Sequence, residues 1–180
     1  MHLDKDLESW LYPSLPAGHF PQRVFAGAKK AVLAWLPGNK PFVPPNPDKV
    51  ALVGYTGKSF PGSVERQEGP FALHWLGIDL DDIEEPQKAW RLIAVLLPYA
   101  SIRLSTGGHG LHLITRIKPV ELTGNASGLV KAAQAPWVET LLKAGLAVCK
   151  FDSRVFFLSG GKNTWLRQTE EILEIPAGLV

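Results

Sequence analysis

Phe71–Leu80 (FALHWLGIDL) is ten residues long, apolar almost throughout, and carries one formal charge, Asp79. A near-continuous apolar run of that length is the pattern of a strand covered on both faces. Around it the chain falls into alternating elements. Glu85–Leu97 shows helical spacing through Ala89, Leu92, Ile93 and Leu96, and Pro98 stops it. Ser101–Ser105 and Leu111–Ile117 are two strand-like runs flanking Thr106-Gly107-Gly108-His109-Gly110, the composition of a hairpin with a glycine-rich turn. Asn125–Ala144 resumes a helical pattern, with Pro136 expected to break it. Leu146–Phe151 and Val155–Leu158 are strand-like again, split by Asp152-Ser153-Arg154. The order from Phe71 onward is β-α-β-β-α-β, the split arrangement of ferredoxin-like and RNA-recognition-motif-like (RRM-like) domains, which predicts an α+β fold.

The first seventy residues read differently. Leu3–Leu11 and Arg23–Leu36 are amphipathic pieces separated by Pro13, Pro16, Gly18 and Pro21, and they suggest a short helical N-terminal module. Five prolines between Pro37 and Pro47 make an extended connector. Val50–Tyr55 is short and β-prone, a candidate extra strand. The expected organisation is therefore a 1–70 module with a Pro-rich connector at about 37–47, followed by a 71–180 core, together forming one unit. At 180 residues and 46% hydrophobic the chain can bury one sizeable core. A net charge of +2 argues for neither nucleic acid nor membrane. The acidity is local, concentrated between residues 71 and 100. A single cysteine, Cys149, and the lack of a charged-then-apolar leader at Met1 predict a cytoplasmic protein, and no apolar stretch approaches the ~20 residues that span a bilayer.

Three constellations carry chemistry. Asp79 and Asp81 end the apolar strand, and alternation places both on one face with Asp82 on the other. Two carboxylates that close repel unless a cation lies between them, and hard oxygen ligands suit Mg²⁺ or Mn²⁺. Asp81 or Asp82 can alternatively cap the helix that follows, and for Asp82 the cap is the better reading. Ser105-Thr106-Gly107-Gly108-His109-Gly110-Leu111-His112 joins two strands; its backbone N–H groups and hydroxyls can converge on an anion, with a plain glycine hairpin as the alternative. A zinc reading of His109 and His112 is weak with one cysteine in the chain. Asp152 ends a strand-like run where it is either a third carboxylate for the same face or an Asx-turn residue. Arg154 and Lys162, beside the small loop Ser159-Gly160-Gly161-Lys162, are candidate phosphate partners.

In their order and spacing these motifs resemble the archaeo-eukaryotic primase (AEP) superfamily, nearest to the primase-polymerase (prim-pol) branch of plasmids, phages and mobile elements. The resemblance spans residues 74–163: D-x-D at Asp79 and Asp81, S-x-G-G-x-G-x-H from Ser105 to His112, and Asp152 followed by Arg154, Gly160 and Asn163 as a looser match. It implies an RRM-like catalytic core joined to a small N-terminal α/β module. The implied activity is a DNA primase/polymerase-type nucleotidyltransferase, acting in the replication or priming of a mobile element. Asp79, Asp81 and Asp152 would be catalytic and hold two divalent ions, Mg²⁺ or Mn²⁺. Ser105, Gly107, Gly108, His112, Arg154 and Lys162 would bind the nucleotide. The implied partners are nucleoside triphosphates, a single-stranded or primed DNA template, and a helicase or other replication protein, with no membrane. His109 departs from the pattern, standing where relatives often carry Lys or Arg, and the chain has no zinc-binding cysteine set and no helicase motor.

Two other classes remain open at this level. A metal-dependent nuclease would use the same carboxylates without triphosphates, and a catalytically degenerate nucleic-acid or nucleotide-binding module would use the site without turnover. Arg103, Arg116, Lys118, Lys131, Lys143, Lys150 and Arg167 are candidates for contacting a template backbone. Trp75, Trp90, Trp137 and Trp165 are candidates for base stacking, although core packing is the commoner fate of each.

Overall fold

A computed structural model of the chain describes residues 5–26, 31–34, 50–57, 71–105, 109–122, 126–146, 156–157 and 165–175. Its elements in chain order are α1 (Lys5–Leu11), β1 (Phe20–Ala26), β2 (Ala31–Ala34), β3 (Val50–Gly57), β4 (Phe71–Leu80), α2 (Pro86–Leu96), β5 (Ser101–Leu104), β6 (Leu111–Leu122), α3 (Ala126–Lys143), β7 (Phe156–Phe157) and β8 (Trp165–Arg167). The fold is α+β. One sheet runs β2-β1-β3-β4-β6-β5-β8, with β7 attached to β3, and every strand pair among the described residues is antiparallel. The strands of the 1–70 segment therefore continue the sheet of the 71–180 segment.

The apolar run at 71–80 is β4 itself, and it sits in the interior of the sheet. It pairs with β6 from Phe71↔Leu122 to Leu80↔Leu111, with one register shift between Leu73 and Trp75. Alternation then assigns the faces. Ile78 and Leu80 join Ile102, Leu111 and Leu113 beneath α2 and α3, which contribute Ile93, Leu97, Val138 and Leu141. On the opposite face Trp75 and Ile114 pack with Leu52 and with Leu11 and Tyr12, which α1 delivers. Each fully buried Leu or Ile adds roughly 1.5–3 kcal/mol to the folded state, which is why the two faces hold the layers together although α1 is only seven residues long. No helix among the described residues is long and apolar enough to cross a membrane.

The helices end where their chemistry requires. Pro86 opens α2, where a missing N–H costs nothing. The Arg167 guanidinium closes it, donating to the carbonyls of Ala94 at 2.9 Å and Pro98 at 2.8 Å. α3 finishes in a Schellman turn: Gly145 adopts φ 80°, its N–H donates to Leu142 O, and Leu146 N–H donates to Leu141 O. Pro136, expected to break this helix, lies inside it. Both Pro136 and Ala132, whose carbonyl loses its i+4 donor, are exposed, so water can satisfy that carbonyl.

Three other expectations change. Arg23–Leu36 supplies the hairpin β1–β2, paired from Arg23↔Ala34 to Ala26↔Ala31, in place of an amphipathic helix. Pairing of β1 with β3 decides the outcome, a tertiary contact overriding local periodicity. The last strand of a split sheet should lie beside the first, yet β7 pairs with β3 through Ala51↔Phe157 and Leu52↔Phe156. The cause is a crossing: β3 meets β4 only along Tyr55–Gly57, and at Gly54 its backbone lies so close to Trp75 that any Cβ would collide with the Trp75 carbonyl. Beyond that point the β3 edge is free for β7. Of the Leu146–Phe151 run, only Leu146 is among the described residues. β8, three residues long and not anticipated, pairs with β5.

A buried polar chain ties the segment after α1 to this crossing. His19 Nδ1 lies 3.3 Å from Thr56 Oγ1, which is 2.8 Å from His74 Nε2. Burial, aided by His19, pushes His74 down to about 4, so the ring is neutral at pH 7.

The crossing makes a paired prediction about glycines. Gly54→Ala must separate two strand backbones and is expected to cost more than about 2 kcal/mol, in the range of overpacked cores. Gly128→Ala, in α3 with open space where the Cβ would go, is expected to add about 0.5–1 kcal/mol. Urea unfolding of the two variants should move in opposite directions; a neutral Gly54→Ala would contradict the crossing.

Candidate active site

The sheet face covered by α1 is apolar only in part. Toward the C-terminal end of β4 the cover gives way to a polar row running across strands: Asp79 pairs in register with His112, His112 with Arg103, and Arg103 with Trp165. Adjacent strands lie about 4.8 Å apart, so these four side chains stand side by side on one face. The Asp79 side chain is 21% exposed, and two residues further on Asp81 is exposed. The first predicted pair thus sits where a charge-bearing strand emerges from its packing.

The hairpin after β5 is locked onto this strand end. Ser105 N–H donates to Gly110 O at 2.9 Å, and Gly110 N–H donates to Ser105 Oγ at 3.1 Å, closing the loop. Ile83 N–H donates to His109 O at 3.0 Å, docking the loop on the segment that follows Asp81. Gly110 allows that contact, because a Cβ there would collide with the Leu80 carbonyl and lie 3.3 Å from Asp81 Cα. Sequence reasoning read this glycine only as a turn former; its necessity comes from the close approach. Ser105 uses one lone pair within the loop, and its hydroxyl also carries a donor proton. Thr106, Gly107 and Gly108 lie outside the described residues, as do Asp152, Arg154, Gly160, Lys162 and Asn163.

Asp82 does not cap α2. The helix begins at Pro86 with Glu85 before it, and no side chain caps it. Asp82 instead takes φ 51°, a left-handed conformation that Asp tolerates better than most residues, and turns the chain away after the strand.

His112 is 6% exposed. Burial first, then the neighbouring Arg103 guanidinium, push its pKa down to about 4, with Asp81 pulling the other way. Its Nε2 lies 3.5 Å from Asp79 Oδ1. At neutral pH this is a contact between a carboxylate and an uncharged ring, so His112 offers an N–H to an anion and not a positive charge. The cation in the row is Arg103, 1% exposed and held 5.7 Å from the Trp165 ring. Burial lowers it to about 10, which leaves it charged at pH 7.

Several candidate template contacts are occupied within the protein. Arg103 is buried. Arg116, 5% exposed, donates to the carbonyls of Trp10 and Thr169 and to Glu170, and lies 4.5 Å from the Trp10 ring. Arg167 caps α2, Lys118 pairs with Glu174 at 3.0 Å, and Lys143 pairs with Glu139 at 2.7 Å. Lys131 is exposed, and Lys150 lies outside the described residues. Among the tryptophans, Trp75 is buried in the core, Trp90 and Trp137 flank the helix layer, and Trp165 packs edge-on against Trp10 at 5.5 Å.

Among the described residues no group of three or more His, Cys, Asp or Glu side chains is placed to hold a metal ion. The donor set there is the carboxylate pair of Asp79 and Asp81. Mg²⁺ is commonly held by one or two carboxylates together with substrate phosphates and water, so this pair fits it. Family models, curated proteins and solved structures were compared with the chain, and none matches it. The reading of the site rests on its own residues.

The close approach at Gly110 is testable without substrate. Gly110→Ala is expected to lower the melting temperature by more than about 4 °C, since the clash is with backbone. Asp81→Asn, which removes one of two like charges, is expected to leave it unchanged or raised. Equal behaviour of the two variants in calorimetry would contradict the docked hairpin.

Proposed function

We propose that the chain is a nucleotidyltransferase of the primase-polymerase type, with an archaeo-eukaryotic primase fold, adding nucleotides to a 3′-hydroxyl on a DNA template. The observation that carries this reading is the meeting of two sequence-distant motifs. Asp79 and Asp81 share one strand end with His112 as the cross-strand partner of Asp79, and the Ser105–Gly110 hairpin is docked against Asp81. The order β4-β6-β5, with α2 and α3 on one face, supports an RRM-like core.

In this reading Asp79 and Asp81 hold divalent ions, Mg²⁺ or Mn²⁺, with Asp152 as the third carboxylate. Such ions supply activation of the attacking oxygen and neutralisation of the leaving pyrophosphate. Asp79 is held by its packed strand, so its carboxylate is oriented before substrate arrives. Ser105 presents its hydroxyl proton, and His112 a neutral N–H, to phosphate oxygens, aided by the backbone of Gly107 and Gly108. Arg154 and Lys162 offset charge on the triphosphate. The template, and any helicase partner, would bind outside the row itself, since Arg103 in the row and Arg116 further along β6 are both sequestered.

The assay is extension of a labelled primer on a DNA template, alongside an unprimed template, with Mg²⁺ and Mn²⁺ tested separately. Wild type is expected to incorporate nucleotides, and Asp79→Ala and Asp81→Ala to lose at least about 10³-fold of that rate while remaining folded. His112→Ala is expected to weaken triphosphate binding more than template binding. Shortening of the primer without triphosphates would favour a nuclease, and template binding without turnover a non-catalytic module; either result would overturn the proposal.

A further inference from the structure

Thr115 stands where the fold calls for a hydrocarbon. On β6, Leu111 and Leu113 lie on the face covered by α2 and α3, and alternation puts Thr115 and Ile117 on the same face. Leu111, Leu113 and Ile117 are at most 1% exposed, and Thr115 is 7% exposed. The Thr115 side chain makes no hydrogen bond to another described residue. Valine has the same shape without a polar atom, so a buried hydroxyl with no partner lowers stability where valine would not.

What this hydroxyl borders is a cavity of about 230 Å³ between the end of α2, α3, β6 and the C-terminal segment. Trp137 and Thr140 enter it from α3, Leu97 and Tyr99 from the end of α2, and Leu173 from the segment bridged to β6 at Ile117. Apolar cavities of roughly 150 Å³ take benzene, so this one has room for a single aromatic ring with a small substituent. Tyr99 is 40% exposed, which brings part of the wall to the surface and gives a ligand a way in.

The lining also selects the kind of ligand. No charged side chain faces the cavity. The partial negative charge at the end of α2 is met by Arg167, which donates to the carbonyls of Ala94 and Pro98. Nothing there calls for an ion. The Thr140 hydroxyl is used within its own helix, donating to the Pro136 carbonyl at 2.9 Å. Thr115 is therefore the hydroxyl left over, and it can both donate and accept.

We propose that this cavity is a binding site for a small uncharged aromatic molecule bearing one hydroxyl or ring N–H, of the phenol or indole kind, with Thr115 as its hydrogen-bond partner. Asp79 pairs with His112, on the other face of β6, so the cavity and the carboxylate pair lie on opposite sides of the sheet. The inference stands independently of the nucleotidyl-transfer reading.

The experiment is NMR titration of the full chain with phenol and, separately, with toluene, two rings of matched size that differ in a hydroxyl against a methyl. Wild type is expected to bind phenol with a dissociation constant of about 1 mM or below. Intermolecular NOEs should run from the bound ring to the Thr115 methyl and the Trp137 indole. Thr115→Val keeps the shape of the wall, so its melting temperature is expected to be unchanged or raised and its toluene affinity to stay within about threefold of wild type, while phenol weakens about tenfold. A tenfold change in the phenol-to-toluene ratio, with the NOEs in place, supports the proposal. No saturable binding of phenol by wild type, NOEs to other residues only, or an unchanged ratio in Thr115→Val overturns it. A Thr115→Val variant that melts more than about 4 °C below wild type also overturns it, because the hydroxyl would then be bonded within the fold and not kept for a ligand.

Discussion

A strand buried on both faces has little room for charge, and the organisation of this protein follows from where the first charge appears on β4. Helices α2 and α3 cover one face along its length, closing over Ile78 and Leu80. On the other face α1 is short, and its contribution through Leu11 and Tyr12 extends to Trp75 and Ile114. Beyond Trp75 the strand still needs pairing, which β6 supplies to its last residue. On that face the apolar cluster under α1 ends, and the row of Asp79, His112 and Arg103 that follows is polar and still largely buried. Asp79 is thus mostly buried and Asp81 exposed, a graded placement that holds the first on a packed strand while the second remains open to ligand.

Much of the architecture was legible from local signals. The runs at 71–80 and 111–117, the helix after Glu85 and the antiparallel pairing of the two strands on either side of the glycines all follow from period and punctuation, and each appears in the structure. What local signals could not supply was pairing. Arg23–Leu36 has an amphipathic pattern that is compatible with helix, and only the β3 edge turns it into a hairpin. Pro136 looked like a terminator because sequence does not reveal that the orphaned carbonyl would face solvent. β7 went to β3 because two backbones touch at Gly54, a proximity of residues 21 apart that no spacing rule encodes.

The site shows the same division. That Asp79 ends a strand, and that Ser105 closes a hairpin leading to His112, follows from strand alternation and the glycine-rich turn; register then brings Asp79 against His112. Arg103 and Arg116 are candidates for template contact by sequence, a role that needs them at the surface, and both are buried. Their burial depends on which face of β5 and β6 is covered, and that in turn depends on α1 and β8. Register with His112 was the signal available for Arg103: on a strand alternating Ile102, Arg103 and Leu104, the arginine must share a face with whatever its neighbour presents there. The neutral state of His112 follows from the same burial, so the row's one fixed positive charge is Arg103 and its negative charge lies with the aspartates.

A divalent cation at Asp79 and Asp81 is the centre of the proposed function, and paramagnetic broadening locates such an ion directly. With imidazole resonances assigned, substoichiometric Mn²⁺ should broaden the His112 and His109 signals, which flank the strand end, and leave His19 and His74 sharp in their buried chain around Thr56. Asp79→Asn should abolish the selective broadening. Uniform broadening of these four of the five histidines, none at all, or selective loss of His19 and His74 would contradict the placement of the ion and with it the functional reading.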